Sequence, residues 1–382
     1  MYAHPSLSAS HPVGITLCVP VYNDWACAAV LLQRIDEVAA QLNQPVSVLL
    51  VNDGSSEAAP PLLEPALRHI THVEILHLRR NVGHQRAIAL GLAYLHDSYP
   101  DRLTVVMDGD GEDDPRSLPA LMARCGQLGD AKIVFASRRK RTEGLLFRAG
   151  YWLFRVLHVM LIGRSVRVGN FSIIPPHLLA RVVGVSEVWN HYAAGVHHAR
   201  LPIDAIPIDR GHRLAGKSKM NFVSLVTHGM SAISVYGDVV GVRLLCVAGL
   251  LTVVAVAALA GIAAVRLGTD WAIPGWATTA CGFMVLILLT LFTLSMVLVL
   301  FVLQSRSLAN FLPLRDWTYY VAGEETIHES SLCVPRLRIG DVRPGAALET
   351  VSGGTASPLY PRPRLGGGRG TGIDDTHVAM RR

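Results

Sequence analysis

The chain is 382 residues long, 51% hydrophobic and 17% charged, with mean hydropathy +0.35, a formal net charge of +6 and a pI of about 9.1. That length accommodates one sizeable domain and something smaller, and that apolar balance excludes an ordinary soluble enzyme, so a membrane segment is expected. The positive charge suits anionic headgroups or phosphate substrates; nucleic acid would favour it equally, and charge alone does not choose. The six cysteines, Cys18, Cys27, Cys125, Cys246, Cys281 and Cys333, show no C-x-x-C spacing and read as reduced thiols rather than a disulfide framework or metal site.

Met1 to Pro12 has no basic region followed by an apolar run. It reads as an N-terminal extension over 1–12 with no cleaved signal peptide, which keeps the first domain in the cytosol. From Ile15 to Phe135 short apolar runs alternate with helix-like stretches. Ile15–Val19, Val46–Val51, Val73–Leu78, Leu103–Met107 and Ile133–Ala136 fit buried parallel strands, with helices over Trp25–Leu42 and Gln85–Leu95. This rhythm predicts an α/β, Rossmann-like domain with a mostly parallel sheet over 13–214.

Gly150–Gly163 is too short to span a bilayer and fits an interfacial helix, as does Met220–Tyr236; a buried core helix is the alternative for either. Residues 215–243 are read as juxtamembrane. The uncharged runs 244–265 and 276–303 are long enough to cross the hydrocarbon core, and the short link between them predicts a two-helix hairpin. Arg210, Arg213, Lys217, Lys219 and Arg243 precede the first run, and Arg306 and Arg315 follow the second. The positive-inside bias then places the first domain and both termini on the cytoplasmic side of a cell (inner) membrane, with the chain crossing twice. Residues 304–342 are expected to form a cytoplasmic segment without periodicity, and 343–382, rich in Gly, Pro and Arg, a disordered tail.

The strongest chemical signal is Asp108-Gly109-Asp110-Gly111-Glu112-Asp113-Asp114, which follows the fourth predicted strand. Carboxylates at the carboxyl end of a parallel strand face the crevice where such sheets bind ligands. Asp108 and Asp110 could hold a hard cation while a substrate diphosphate completes its shell; a solvated acidic turn is the plainer alternative. An EF-hand fails, because the position of its final Glu is Pro119. Asn52-Asp53-Gly54-Ser55 and Val19-Pro20-Val21-Tyr22-Asn23-Asp24 also end strands, and each alone is compatible with ordinary turn chemistry. Three acidic strand ends in one sheet nevertheless converge on one pocket. No G-x-G-x-x-G follows the first strand, which disfavours a dinucleotide oxidoreductase.

These residues resemble the inverting GT-A glycosyltransferases of family 2, particularly the branch similar to dolichyl-phosphate mannose synthases and bacterial polyprenyl-phosphate glycosyltransferases. Val19 to Asp24 is similar to that family's first donor-binding turn, and Val51-Asn52-Asp53-Gly54-Ser55 to its Asp-Asp-Gly-Ser motif. Asn81-Val82-Gly83, leading to Ala87 and Gly91, is similar to its Asn-x-Gly segment, and Asp108-Gly109-Asp110 to its Asp-x-Asp. Arg210 and Arg213 with Gly216-Lys217-Ser218-Lys219 resemble the basic element ahead of its membrane segments.

The resemblance covers roughly residues 13–305. It implies a GT-A domain in which Pro20, Tyr22, Asp24, Asp53, Gly54, Asn81 and Asp108 hold a nucleotide-sugar donor while Asp108 and Asp110 bind Mg²⁺ or Mn²⁺. Arg138 and Arg141, and Arg210, Arg213, Lys217 and Lys219, have plausible roles on a donor diphosphate or a lipid phosphate; a basic collar serving topology alone is the other reading. The implied partners are the donor, a lipid acceptor such as polyprenyl phosphate and membrane lipids, with no nucleic acid; a homo-oligomer is left open.

The chain departs from the family pattern where relatives read Gly-Asp-Phe-Arg and this chain has Gly169-Asn170-Phe171-Ser172. The carboxylate proposed as base is an amide here. A lipid phosphate acceptor needs no strong base, and Asn170 could position it, whereas a hydroxyl acceptor would need another base such as His191, Glu187, Glu112 or Asp113. Transfer to a lipid hydroxyl, or a non-catalytic membrane scaffold retaining the fold, are the competing functions.

Overall fold

The computed structural model describes residues 14–59, 67–138, 160, 163, 168–209, 211, 213–214, 230–269, 275–307 and 311–330, with the backbone alone for Arg138, Val168 and 305–307. The N-terminal extension, the 150–163 stretch apart from Met160 and Gly163, most of Met220–Tyr236, Arg141, Arg210, Lys217, Lys219 and the 343–382 tail lie outside them.

The five expected strands form, with displaced ends, as Ile15–Val21 (β1), Val46–Asn52 (β2), Ile70–Leu78 (β3), Leu103–Val106 (β4) and Ile133–Arg138 (β5). β1, β2 and β4 are buried at every position, the condition under which a strand reads as a continuous apolar run. Helices cover both faces. Trp25–Ala39 (α1) and Leu118–Gln127 (α3) share a core with Leu17, Val19, Val48 and Leu50, while His84–Ser98 (α2) packs with Cys18, Leu49 and Val51. The two-residue alternation of side chains along β1 and β2 separates these cores. Each fully buried Leu or Val contributes about 1.5–3 kcal/mol. α2 is pressed onto the sheet at Gly91, where an added Cβ would lie 2.5 Å from Cys18 Sγ and 2.7 Å from Val51 Cγ2.

The strand order is β7-β5-β6-β4-β1-β2-β3-β8, where β6 is Val168–Ile174, β7 Ile203–Ile208 and β8 Val321–Glu329. β1 pairs in parallel with both β2 and β4, so the chain leaves β1 in one direction and resumes on its other side at β4. That reversal opens a crevice at the carboxyl ends of β1 and β4, the position where open α/β sheets bind ligands. This is the α/β, mostly parallel arrangement expected.

Three strands were not read from the sequence. β6 runs antiparallel between β4 and β5, pairing Val106 with Ser172; continuing that register by two residues brings Asn170 opposite Asp108. β7 is a half-exposed edge carrying Pro207, which an edge tolerates because its missing N–H faces no neighbour. β8 lies in the stretch expected to be an aperiodic cytoplasmic segment; instead it pairs antiparallel with β3 and forms the other edge. Its mostly exposed side chains explain the absent apolar period.

Between β7 and β8 lie Gly237–Gly268 and Trp276–Ser307, two helices long and apolar enough to cross a membrane. Each has 32 residues, about 48 Å at ~1.5 Å per residue. The first begins seven residues before the apolar run, so Asp238 and Arg243 are part of it. The helices approach through small residues: Gly241, Ala248 and Ala255 are buried, and a Cβ on Gly241 would stand 2.6 Å from Val302 Cγ2. The hairpin is held to the sheet domain at both feet. At its start, Tyr236 packs edge-on to His198, and Ile233, Val235 and Tyr236 cluster with Ala194. At its exit, Phe311 stacks on Trp189 at 3.7 Å, and Trp317 Nε1 donates to Asp97 Oδ2 of α2 at 2.7 Å.

Candidate active site

The turns at the ends of β1 and β2 are stitched to each other. Asn23, held in the left-handed region at φ 48°, receives Ser56 N–H and Glu57 N–H on Oδ1 at 2.9 and 3.2 Å, and its own N–H donates to Ser55 Oγ at 3.0 Å. Gly54 also has positive φ, and a Cβ there would come within 2.5 Å of Arg80 C and Asn81 N, so the chain passes beneath the Asn81 segment only as glycine. Pro20 crosses close to the acidic turn after β4, its carbonyl 2.8 Å from where a Cβ on Gly109 would be. Tyr22 is 45% exposed at the crevice end of β1.

Asp53 is 2% exposed, and its oxygens accept the backbone N–H groups of Val82 at 2.7 Å and Gly83 at 3.0 Å. Burial raises its pKa, with those two hydrogen bonds opposing. The structure thus gives Asp53 the task of holding the Asn81-Val82-Gly83 turn, while Asn81 itself is exposed.

Asp108 and Asp110 stand at the end of β4, one-fifth to one-quarter exposed at their side chains. The turn is self-braced: Asp108 N–H donates to Asp113 Oδ2 and Glu112 N–H to Asp110 Oδ1, both at 3.0 Å. A guanidinium and an imidazole face these carboxylates. Arg213 places Nη2 2.5 Å from Asp24 Oδ2 and Nη1 3.5 Å from Asp110 Oδ2, joining the turn after β1 to the acidic turn. His84, at the start of α2, has Nε2 3.1 Å from Asp108 Oδ1. Desolvation pulls the His84 pKa down, but Asp108, then Asp110 and Asp113, outweigh it and hold it above its ordinary value.

The backbone around Arg213 lies directly on the acidic turn. Gly211 N–H donates to Glu112 O at 2.9 Å and Leu214 N–H to Asp110 O at 3.0 Å. Gly111, at φ +82°, leaves the space that Leu214 fills. Beside the turn, Glu112, Asp113, Asp114, Ala136, Ser137, Gly169, Phe171, Ile208 and Asp209 line a concavity at the ends of β5, β6 and β7.

Asn170 enters this group from β6: its Nδ2 is 3.2 Å from Asp108 Oδ1 and 3.0 Å from His84 Nε2. Asp24, Asp108, Asp110, Asn170 and Arg213 are thus brought together. His191 is used differently, its Nδ1 accepting Ala194 N–H at 3.4 Å as the N-cap of helix Tyr192–His198. Sequence reasoning missed His84, Gln85 and Asn23. The signal for the first two was their place immediately after Gly83, at a helix start facing the crevice.

Residues 16–177 match the family model of glycosyl transferase family 2. Among curated relatives, the uncharacterized glycosyltransferase YkcC of Bacillus subtilis is 26% identical over 231 residues, 59% of this chain and 69% of that one. The undecaprenyl-phosphate 4-deoxy-4-formamido-L-arabinose transferase of Klebsiella pneumoniae is 24% identical over 243 residues, 59% of this chain and 72% of that one. The dodecaprenyl-phosphate galacturonate synthase of Rhizobium johnstonii is 27% identical over 210 residues, 49% of this chain and 59% of that one. This chain carries a glycosyl transferase family 2 domain over residues 16–177.

Proposed function

We propose that this protein is a membrane-bound inverting glycosyltransferase that moves a sugar from a nucleotide-sugar donor to a lipid acceptor, polyprenyl phosphate. The observation that carries the reading is the convergence of Asp24, Asp108, Asp110, Asn170 and Arg213 at the switch point of the sheet. Two relatives that transfer different sugars are both named for a polyprenyl phosphate, which supports that acceptor class over any one sugar.

A divalent cation fits the residues present. Asp108 and Asp110 are hard oxygen donors at a cleft mouth, and the Arg213 guanidinium already lies against Asp110. Among the described residues no three acidic, His or Cys side chains are grouped for a metal, so the donor diphosphate supplies further ligands. When bound, Mg²⁺ or Mn²⁺ neutralises charge building on the departing diphosphate.

The chain's own groups do the rest. Tyr22 and the stitched turns after β1 and β2 form a rigid floor for the nucleotide, and Arg213 is in reach of the diphosphate oxygens once it leaves Asp24. The acceptor oxygen forms a bond to the anomeric carbon as the bond to the diphosphate oxygen breaks, the electron pair departing with the nucleoside diphosphate. A phosphate acceptor arrives already anionic, consistent with an amide at Asn170.

The two long apolar helices support membrane attachment beside a lipid substrate. Because β8 returns to β3 after the hairpin, both of its ends lie on the side of the catalytic domain, and the positive-inside bias makes that side cytoplasmic.

The test uses detergent-purified full-length protein with UDP- and GDP-sugars, Mg²⁺ or Mn²⁺, and undecaprenyl phosphate, followed by mass spectrometry. Metal-dependent glycosyl-phospholipid is expected. Donor turnover without lipid product would move the acceptor to a hydroxyl, and no turnover with any donor would favour a non-catalytic scaffold.

A further inference from the structure

The end of β2 is tied to β3 and β8 by side chains as well as by the ladder. Asn52, the last residue of β2, is 8% exposed, and its Oδ1 accepts the backbone N–H of Ser55 at 2.9 Å, closing the turn after β2. Its Nδ2 lies 3.0 Å from Nδ1 of His77, its register partner on β3. His77 Nε2 lies in turn 3.2 Å from Glu325 Oε2 on β8. A backbone N–H can only donate, so Asn52 turns its oxygen to Ser55 and its amide nitrogen to His77. That nitrogen has only protons to give, so His77 Nδ1 is the bare, accepting nitrogen and Nε2 holds the ring proton. A carboxylate accepts, so Glu325 requires the same tautomer from the other side. Each bond in the series fixes the direction of the next.

We infer that Asn52 and His77 are positioning residues that set the turn beneath the donor nucleotide, with Glu325 of β8 orienting the imidazole for that task. The inference rests on the proposed reading of the crevice as a nucleotide-sugar site. The turn carries Asp53, Gly54 and Ser55, and Ser55 Oγ receives Asn23 N–H from the turn after β1 at 3.0 Å. An Asn52 amide rotated by half a turn would set its NH₂ against the Ser55 N–H and its oxygen against a bare ring nitrogen, and both bonds would be lost. The imidazole therefore holds the Asn52 oxygen where Ser55 needs it. Exposure grades the contributions: Asn52 is buried, whereas the His77 side chain is 31% and that of Glu325 59% exposed. The inner bond accordingly counts for more than the outer one, which water screens. Because β8 follows the long hairpin, a strand made after the apolar helices reaches back to the nucleotide floor through one ring.

The experiment titrates UDP and GDP into the full-length detergent-purified protein by calorimetry, with Mg²⁺ or Mn²⁺ present, so that affinity and the fraction of competent sites are read separately. The wild-type protein is expected to bind one of the two nucleotides. His77→Ala should weaken that binding about fivefold with the site fraction unchanged, the loss of one hydrogen bond, and Glu325→Ala should weaken it by about twofold or less. His77→Gln should restore it, because the glutamine Oε1 can accept from Asn52 while its Nε2 donates to Glu325. His77→Phe, a ring without an acceptor, serves if the alanine variant does not fold. A merely structural role would lower the site fraction and the melting temperature at unchanged affinity. Unchanged affinity, a glutamine variant as weak as the alanine one, or a wild-type protein that binds neither nucleotide overturns the inference. Sugar transfer is assayed separately: weakened nucleotide binding in the variants without transfer by the wild type leaves the positioning role standing and rejects the reaction, whereas transfer with unchanged affinity does the reverse.

Discussion

The crevice of the sheet and the interface of the long hairpin are built on opposite principles. In the crevice, position is set by directed bonds between particular atoms: Asp53 to two backbone N–H groups, Asn23 to the turn after β2, Arg213 to two aspartates. In the hairpin, helices approach through Gly241, Ala248 and Ala255, and most of the remaining surface is exposed aliphatic side chain. The contrast teaches where the sequence is strict. A crevice residue is replaceable only by one with the same donors and acceptors, whereas a hairpin residue away from the seam is replaceable by anything equally apolar.

Substitutions can break that comparison or sharpen it. The largest effect is expected from Asp108→Asn, which should lower sugar transfer by at least about a hundredfold while leaving the melting temperature nearly unchanged; retained activity would remove Asp108 from the chemistry. Next comes Gly54→Ala. A left-handed Cβ costs roughly 1–2 kcal/mol and the backbone clash at Arg80 adds to it, so a fall in the midpoint of chemical unfolding worth about 2–4 kcal/mol is predicted.

Trp317→Ala removes an indole that packs edge-on to Tyr94 and donates to Asp97, and should cost about 2 kcal/mol, read by the same unfolding curve. The Asp36 carboxylate accepts the N–H groups of Arg68, His69 and Ile70. Partial burial pushes its pKa up, but the three N–H donors outweigh this and hold it below the ordinary value. A carboxylate depressed in the folded state stabilises it above the unfolded pKa of about 3.9, and that stabilisation is lost as pH falls further, through the folded pKa. Asp36→Asn should therefore lower stability by about 1 kcal/mol at neutral pH and flatten its acid dependence below about pH 4, measured by thermal melts across pH. Smallest of all is Leu289→Ala on the outer hairpin, 61% exposed, where a change within about 0.5 kcal/mol in detergent is expected; a large loss there would mean that this face is packed against a partner.

What was legible in the sequence follows the same division. β1, β2 and β4 announced themselves because burial along the whole strand writes unbroken apolar runs, and both long helices did so because their exposed faces are as apolar as their contact seam. The acidic turn was legible because it follows such a run, and Asp24 and Asp110 do meet at one guanidinium. β6, β7 and β8 were not read. β6 follows a long insertion and runs against its neighbours, and β7 and β8 are edges whose exposed sides carry polar residues. The tasks of Asn23 and Asp53 were equally hidden, since each depends on a partner about thirty or more residues away whose register only the folded sheet reveals.

The return of β8 to β3 has a consequence for biosynthesis. His328 reaches Ile70 O across 258 residues of chain, and everything between them, hairpin included, is made before that bond can form. Until then Glu74 of β3, buried in the finished sheet and bonded to Tyr94 and Tyr99, lacks its covering strand. If the hairpin enters a bilayer, only an even number of crossings lets β8 come home. A nascent chain whose second helix failed to turn back would strand β8 on the far side and leave the β3 edge bare, so completion of the sheet reports the parity of membrane insertion, and a misthreaded chain is marked for recognition by its own unfinished edge.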